Sequence, residues 1–141
     1  MKFLFGCCLI VLLPAVKAGA ASSDVADAAM KGNRETVRSL LQRKADANGP
    51  QIDGTTALHW AVRADDADMA DMLIRAGANV SLANREGVTP MQLAAMNGNA
   101  AMLLKLVKAG ADPNAPLTEY KDTALMMASR TGTTDALAVL L

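Results

Sequence analysis

Cysteine, histidine and aromatic residues are all scarce in this chain. Its 141 residues include two Cys, one His, one Trp, one Tyr and two Phe. Both cysteines, Cys7 and Cys8, fall in an N-terminal segment that reads as a removable leader, so the remaining chain has none. Disulfide, thiol and zinc-thiolate chemistry are thereby excluded, and an exported domain without disulfides must be held together by packing. A lone histidine, His59, makes no metal site without partner ligands. Few aromatics beside much Ala, Leu and Met suit small, closely packed helices better than a sheet core. Charge of either sign is not in excess: 14 basic residues face 14 acidic ones, and without Lys2 and Lys17 of the leader 12 face 14, a net of −2. That balance lacks the basic footprint of a nucleic-acid binder.

The leader itself is legible. Met1-Lys2 is a short basic start, Phe3 to Leu13 is an unbroken apolar run, and Pro14 ends it. Small residues follow, so that cleavage is expected after Ala18 or Ala20, in the layout of a Sec-type signal peptide over 1–20. An uncleaved membrane anchor is the alternative, but eleven apolar residues fall short of the roughly 20 that span a bilayer. Leu4-Phe5-Gly6-Cys7 resembles a lipoprotein cleavage site only faintly, because almost no apolar run precedes it. The protein is expected to be exported, to a periplasm or outside the cell.

What the chain does have is a period. Gly54 to Asn79, shifted by 33 residues, meets Gly87 to Asp112: Thr56 falls on Thr89, Leu58 on Met91, Ala61 on Ala94, Leu73 on Leu106 and Gly77 on Gly110. A shift of 34 starts another copy at Thr123, and a backward shift of 33 places Ala28, Gly32, Leu40 and Leu41. Such a period marks a stacked-repeat architecture. The units run about 22–50, 51–83, 84–116 and 117–141, and together they form one domain over 21–141.

Within each unit, capping chemistry predicts two short helices. Asp24 is expected to cap a helix Val25 to Lys31 that Gly32 stops, and Asn33 to cap Arg34 to Arg43. Thr56 is expected to cap Ala57 to Ala64, and Asp66 to cap Ala67 to Ala76. Thr89-Pro90-Met91-Gln92 combines a cap, Pro at the first helical position and Gln three residues on. Gly98 and Asn99 separate the helices of the third unit, and Gly110 closes it. Lys44 stands where Gly77 and Gly110 stand, and Asp65 where Gly32, Gly98 and Gly132 stand. A left-handed backbone at Lys44 would cost about 1 kcal/mol relative to Gly. Helices this short are marginal alone, where about 12–15 residues are needed, so packing between units must sustain them.

At these residues a family resemblance emerges. Thr56-Ala57-Leu58-His59-Trp60-Ala61 and Thr89-Pro90-Met91-Gln92-Leu93-Ala94 are similar to the TPLHxA motif of ankyrin repeats, and Leu73 to Asn79 and Leu106 to Asp112 to its LLxxGAD segment. The resemblance covers 22–141 and implies an all-α solenoid of about four helix-turn-helix units with β-hairpin-like loops. It also implies protein–protein binding without catalysis, and a His59 side chain that hydrogen-bonds within its loop and tightens the turn. The fourth unit is truncated at Leu140-Leu141. Because terminal repeats normally carry a polar outer face, a stack ending on Leu137, Leu140 and Leu141 suggests a longer protein.

No catalytic constellation is visible: there is no phosphate-binding glycine loop, Gly-x-Ser-x-Gly elbow or Cys-His pair. The acidic run Asp65, Asp66, Asp68, Asp71 lacks the ligand spacing and closing Glu of a calcium loop. It fits a helix start, with Asp66 as cap, Asp68 at the positive helix end and Asp71 four residues before Arg75. No cofactor and no metal are expected. The expected partner is a protein, not nucleic acid and not a membrane after leader removal, and the chain is expected to be monomeric. The family's usual contact surface maps onto hairpin tips at Ile52, Thr55, Arg85, Glu86, Val88, Glu119 and Tyr120. Its helix face maps onto Arg63, Met96, Asn97, Arg130 and Thr131. Trp60 is expected to serve core packing before partner contact. The alternative function is that of a recognition arm of a longer exported enzyme, or of an envelope scaffold, with the remainder beyond residue 141.

Overall fold

The computed structural model of the chain describes residues 23–116 and 120–141; the leader and Glu119 lie outside the described residues. Eight helices follow one another in pairs, and no strand occurs among the described residues. They are α1 (Asp24–Met30), α2 (Arg34–Gln42), α3 (Ala57–Arg63), α4 (Ala67–Arg75), α5 (Pro90–Asn97), α6 (Ala100–Lys108), α7 (Ala124–Thr131) and α8 (Thr134–Leu140). The odd-numbered helices stack on one another as an inner row and the even-numbered ones form an outer row, with each pair closed on itself. This is the all-α solenoid that the period predicts.

Why these segments form helices is visible at their first turns. The side chains of Asn33, Asp66 and Asn99 accept the N–H of Thr36, Met69 and Met102 at 3.1, 3.0 and 2.9 Å, so three outer helices begin on the same kind of cap. Each is worth about 1 kcal/mol over alanine. Thr89 Oγ1 accepts from the Gln92 N–H at 3.2 Å, with Pro90 in the first turn. The start of α1 departs from expectation: Ser23, not Asp24, holds the cap position. Its carbonyl accepts the Asp27 N–H at 2.7 Å and its hydroxyl turns to the Asp27 carboxylate at 3.1 Å, so Asp24 lies inside the helix. Observed helix ends otherwise stand within about a residue of those predicted.

Two expected glycine substitutes are indeed left-handed, Lys44 with φ 62° and Asp65 with φ 56°. Lys121, at the place of Gly54 and Gly87, joins them at φ 59°. The Asp65 carboxylate accepts a hydrogen bond from the Asn99 amide of the next unit, which ties its turn to that unit. Gly98 is constrained both by its backbone and by a neighbouring side chain. Its φ is +66°, and a Cβ there would lie 2.6 Å from Thr133 Cγ2.

The core is built by equivalent residues meeting across units. Leu58, Ala61, Met69 and Leu73 of the second unit, and Met91, Ala94, Met102 and Leu106 of the third, are all buried. A polar register runs beside them. Arg34 bridges to Asp66 at 2.6 Å and Asp68 at 3.2 Å, and Lys105 to Asp71 at 2.5 Å. Asp71 therefore pairs with the next unit and not with Arg75 on its own helix. Asn48 donates to the Gly77 carbonyl at 3.1 Å and accepts the Asn79 N–H at 2.7 Å. Burial by itself would raise the Asp66 carboxyl, but the Arg34 guanidinium and the Met69 N–H outweigh it and hold the group below its ordinary value.

Candidate functional site

The second and third units each send out a tight hairpin-like turn. One is closed by Gln51 N–H to the Thr55 carbonyl at 2.9 Å, the other by Asn84 N–H to the Val88 carbonyl at 2.9 Å. Arg85 N–H donates to the Asp53 carbonyl at 2.9 Å, which ties the two tips together. Gly54 stands at that junction, where a Cβ would sit 3.1 Å from Arg85 N. The two tips are thus joined to each other by a main-chain contact.

His59 anchors this surface from beneath. The side chain is 2% exposed. Its Nδ1 accepts the Thr56 N–H at 3.2 Å and lies 2.8 Å from Thr56 Oγ1, while Nε2 is 2.9 Å from the Val88 carbonyl. Because the Thr56 amide can only donate, Nδ1 must be the bare nitrogen, and Nε2–H donates to Val88. The ring therefore caps its own helix and holds the next tip. Burial lowers its pKa below the ordinary 6.5, against the opposing pull of the Val88 carbonyl and Asp53. A neutral ring is the form that makes both contacts.

Between the tips and the inner helices lies a groove of about 430 Å³, with Trp60, Leu93 and Met96 on its floor and Asp53, Arg63 and Glu86 at its edges. It continues toward the first unit past Met30, Ile52 and Arg85. Trp60 is half-buried, and its indole N–H donates to Gln51 Oε1 at 2.8 Å, with the Arg63 guanidinium 5.6 Å from the ring centroid. Sequence reasoning assigned Trp60 to the core; the structure places one part of it in the groove.

The candidate contact residues divide into three groups. Ile52 (89% exposed), Tyr120 (81%) and Met96 (55%) present large apolar surfaces, and Arg63, Arg85, Glu86, Arg130 and Thr131 are also exposed. Asn97 is exposed but engaged: its amide donates to the Val62 carbonyl at 3.1 Å and the Arg63 carbonyl at 3.5 Å, covering the end of α3. Val88 is half-buried and gives its carbonyl to His59. Thr55 is a correction. It is only 8% exposed, with its N–H donating to Asp53 Oδ1 at 2.9 Å and its hydroxyl to Oδ2 at 2.8 Å. Those two bonds hold the Asp53 carboxyl below its usual range. Thr55 shapes the tip from within, because the turn needs a donor pair facing Asp53. Met30 and Met126, both exposed on inner helices, were not singled out from sequence; the period would have found Met30, which falls on Arg63 and Met96.

Among the described residues no group of three or more His, Cys, Asp or Glu side chains could hold a metal ion. No helix there is long and apolar enough to cross a membrane.

A family model for ankyrin repeats (3 copies) matches residues 25–117 and 80–141. Neurogenic locus notch homolog protein 1 of Xenopus tropicalis is 38% identical over 115 residues, which is 81% of this chain and 4% of that protein. RelA-associated inhibitor of Mus musculus is 36% identical over 85 residues, 60% of this chain and 10% of that protein. Notch-regulated ankyrin repeat-containing protein A of Danio rerio is 34% identical over 87 residues, 57% of this chain and 76% of that protein. The chain thus spans a small part of the first two and most of the third. Ankyrin repeats are protein–protein interaction modules. Paired helices on a fixed period, tips tied edge to edge and a matching family model over both segments lead to one conclusion: this chain belongs to the ankyrin repeat family.

Proposed function

We propose that this chain is a non-catalytic binding module that grips one protein partner in the groove between its hairpin tips and inner helices. The observation that carries the reading is the apolar floor left uncovered there: Trp60, Leu93 and Met96, with Met30 and Ile52 further along. Large apolar and Arg side chains around such a cleft are those that most often carry interface energy. Arg63 lines it and Arg85 lines its continuation, and Tyr120 and Arg130 are exposed on the fourth unit. The rigid core beneath lets those side chains vary without loss of fold. We further propose that the module acts after export, in a periplasm or outside the cell, because the apolar run Phe3 to Leu13 and the small residues before Ala20 have the layout of a signal peptide.

Affinity capture from a periplasmic extract tests the first reading, with the protein as one bait and its Arg63, Arg85, Tyr120, Arg130→Ala variant as the other. A protein held by the first bait and lost from the second supports the groove. Equal capture by both moves the surface elsewhere. Export is tested by N-terminal sequencing of protein recovered from the periplasm: a start at residue 19 or 21 supports it, and retention of Met1 in the cytoplasm refutes it.

A further inference from the structure

The outer face of the stack changes character along its length. In α2 its outward residues include Arg34, Glu35 and Arg38. At the same places α4 has Ala67, Asp68 and Asp71, and α6 has Ala100, Ala101 and Leu104. Leu104 is 40% exposed where the earlier units carry Asp71 and Arg38. Stacking does not account for it, because the buried face of α6 is made by Met102, Leu103 and Leu106. α6 packs more closely on α8 than α2 does on α4, and the backbones of α4 and α6 make the fewest close approaches of the three pairs. The gap between them is a groove of about 530 Å³. Ile74, Ala101 and Leu104 form its apolar lining, and Arg75, Lys105 and Lys108 its basic rim.

The charge balance of that groove is one-sided. Among the described residues Asp71 is the single acid lining it, and the Lys105 ammonium sits on its carboxylate at 2.5 Å. Arg75 and Lys108, both exposed, are left as unbalanced positive charge. A cation at a helix C-terminus is favourable on its own, so the two charges alone need no ligand. An uncovered Leu104 between them is not explained that way. An apolar seam flanked by cations, lying between two helices, matches an amphipathic helix whose ridge enters the groove and whose acidic residues meet the rim. We propose that the α4–α6 groove is a second docking site, for an acidic amphipathic helix of a protein partner, with Leu104 at its apolar centre and Arg75 and Lys108 selecting the charge. The site lies on outer helices and is separate from the groove of the tips.

Three labelled helical peptides with one shared Leu/Ile face, and Glu, Lys or Gln on the flanks, test this against the whole protein by fluorescence anisotropy. The Glu-flanked peptide should bind, and weaken as salt rises. Leu104→Asp should weaken it roughly tenfold or more, as loss of a central apolar anchor does. That variant restores the residue the second unit carries, so it is expected to fold, and circular dichroism checks this. Arg75→Gln with Lys108→Gln should reduce the preference for Glu over Gln flanks, following Gln42 at the same place in the first unit. Met96→Glu should leave this binding unchanged, which separates the site from the groove of the tips. Equal binding of all three peptides, binding indifferent to Leu104→Asp, or no binding of any would overturn the proposal. Binding of anionic vesicles in place of the Glu-flanked peptide would equally overturn it, in favour of a membrane surface.

Discussion

Replacing His59 with alanine removes three things at once: the acceptor for the Thr56 N–H, the donor for the Val88 carbonyl, and a buried ring. Two hydrogen bonds at about 1 kcal/mol each and a part-filled cavity at about 1 kcal/mol give an expected loss of about 3 kcal/mol. Against a typical domain stability of about 5–15 kcal/mol that is a large share, and the midpoint of thermal unfolding should fall by roughly 10 °C. Gln92 occupies the equivalent place in the third unit, where its Oε1 is buried without a hydrogen-bond partner among the described residues, so His59→Gln should recover part of the buried volume but not both hydrogen bonds. Urea titration followed by far-ultraviolet circular dichroism measures all three proteins. The ring also predicts a pH dependence. With its folded pKa lowered below the ordinary 6.5, stability is full above that value. As pH falls below 6.5 the unfolded chain binds a proton that the folded chain refuses, so stability declines, by at most about 1.4 kcal/mol per pH unit, until the lowered folded pKa is reached. His59 is the only histidine, so the decline between pH 6.5 and the carboxylate range should vanish in His59→Gln. A loss below 1 kcal/mol for His59→Ala, or a stability that stays flat or rises on acidification through that window, would refute the account.

Relief of left-handed strain should show at two exposed lysines: Lys44→Gly and Lys121→Gly are each expected to gain about 1 kcal/mol, read from urea midpoints. Asp65→Gly should gain much less than Lys44→Gly in the same assay, because it gives up the bond from Asn99. Gly98→Ala should cost more than Gly132→Ala, since both sites are left-handed but only at 98 would the new methyl strike Thr133. Hydrogen peroxide should oxidise Met30, Met96 and Met126 well before the buried Met69, Met91 and Met102; peptide mass spectrometry gives the order, and early oxidation of Met102 would contradict the packing.

The fold was legible because its determinants are local and repeated. Asn33, Asp66 and Asn99, spaced 33 residues apart, announce three outer helices by the same cap chemistry. Ser23 escaped because its contribution is a carbonyl and a hydroxyl turned to Asp27, which no side-chain preference encodes. Lys121 escaped because the hairpin glycines of earlier units were not carried forward to it. Thr55 and Asn97 show the harder limit. Phase alone put both on the surface; Thr55 instead faces Asp53 from within the tip, and Asn97, exposed as expected, also caps the helix of the neighbouring unit at the Val62 carbonyl. Contacts between units depend on side-chain reach across the stack, and a periodic pattern carries no information about reach. Asp71 makes the same point: its i+4 neighbour Arg75 is the obvious partner along the helix, and Lys105 of the next unit takes it instead.

The two proposed docking sites lie on different rows of helices, with the buried residues Leu58, Leu73, Met91 and Leu106 between them. That arrangement makes a quantitative demand. Substitutions far apart that share no partner add to within about 0.5 kcal/mol, so the effects of Met96→Glu and Leu104→Asp on each binding reaction should be independent. A ligand in the groove of the tips contacts inner helices, and one in the outer groove contacts α4 and α6. The two grooves share no lining residue among those described, and a ligand without differential contact with two states of the core cannot shift the affinity of the other. Isothermal titration of the Glu-flanked peptide, with and without a partner captured through the tips, should therefore give the same dissociation constant. A change of threefold or more would mean that the spacing of α4 and α6 responds to occupancy of the inner groove. The most direct route for that response is Lys105, whose bridge to Asp71 spans the gap between the two outer helices.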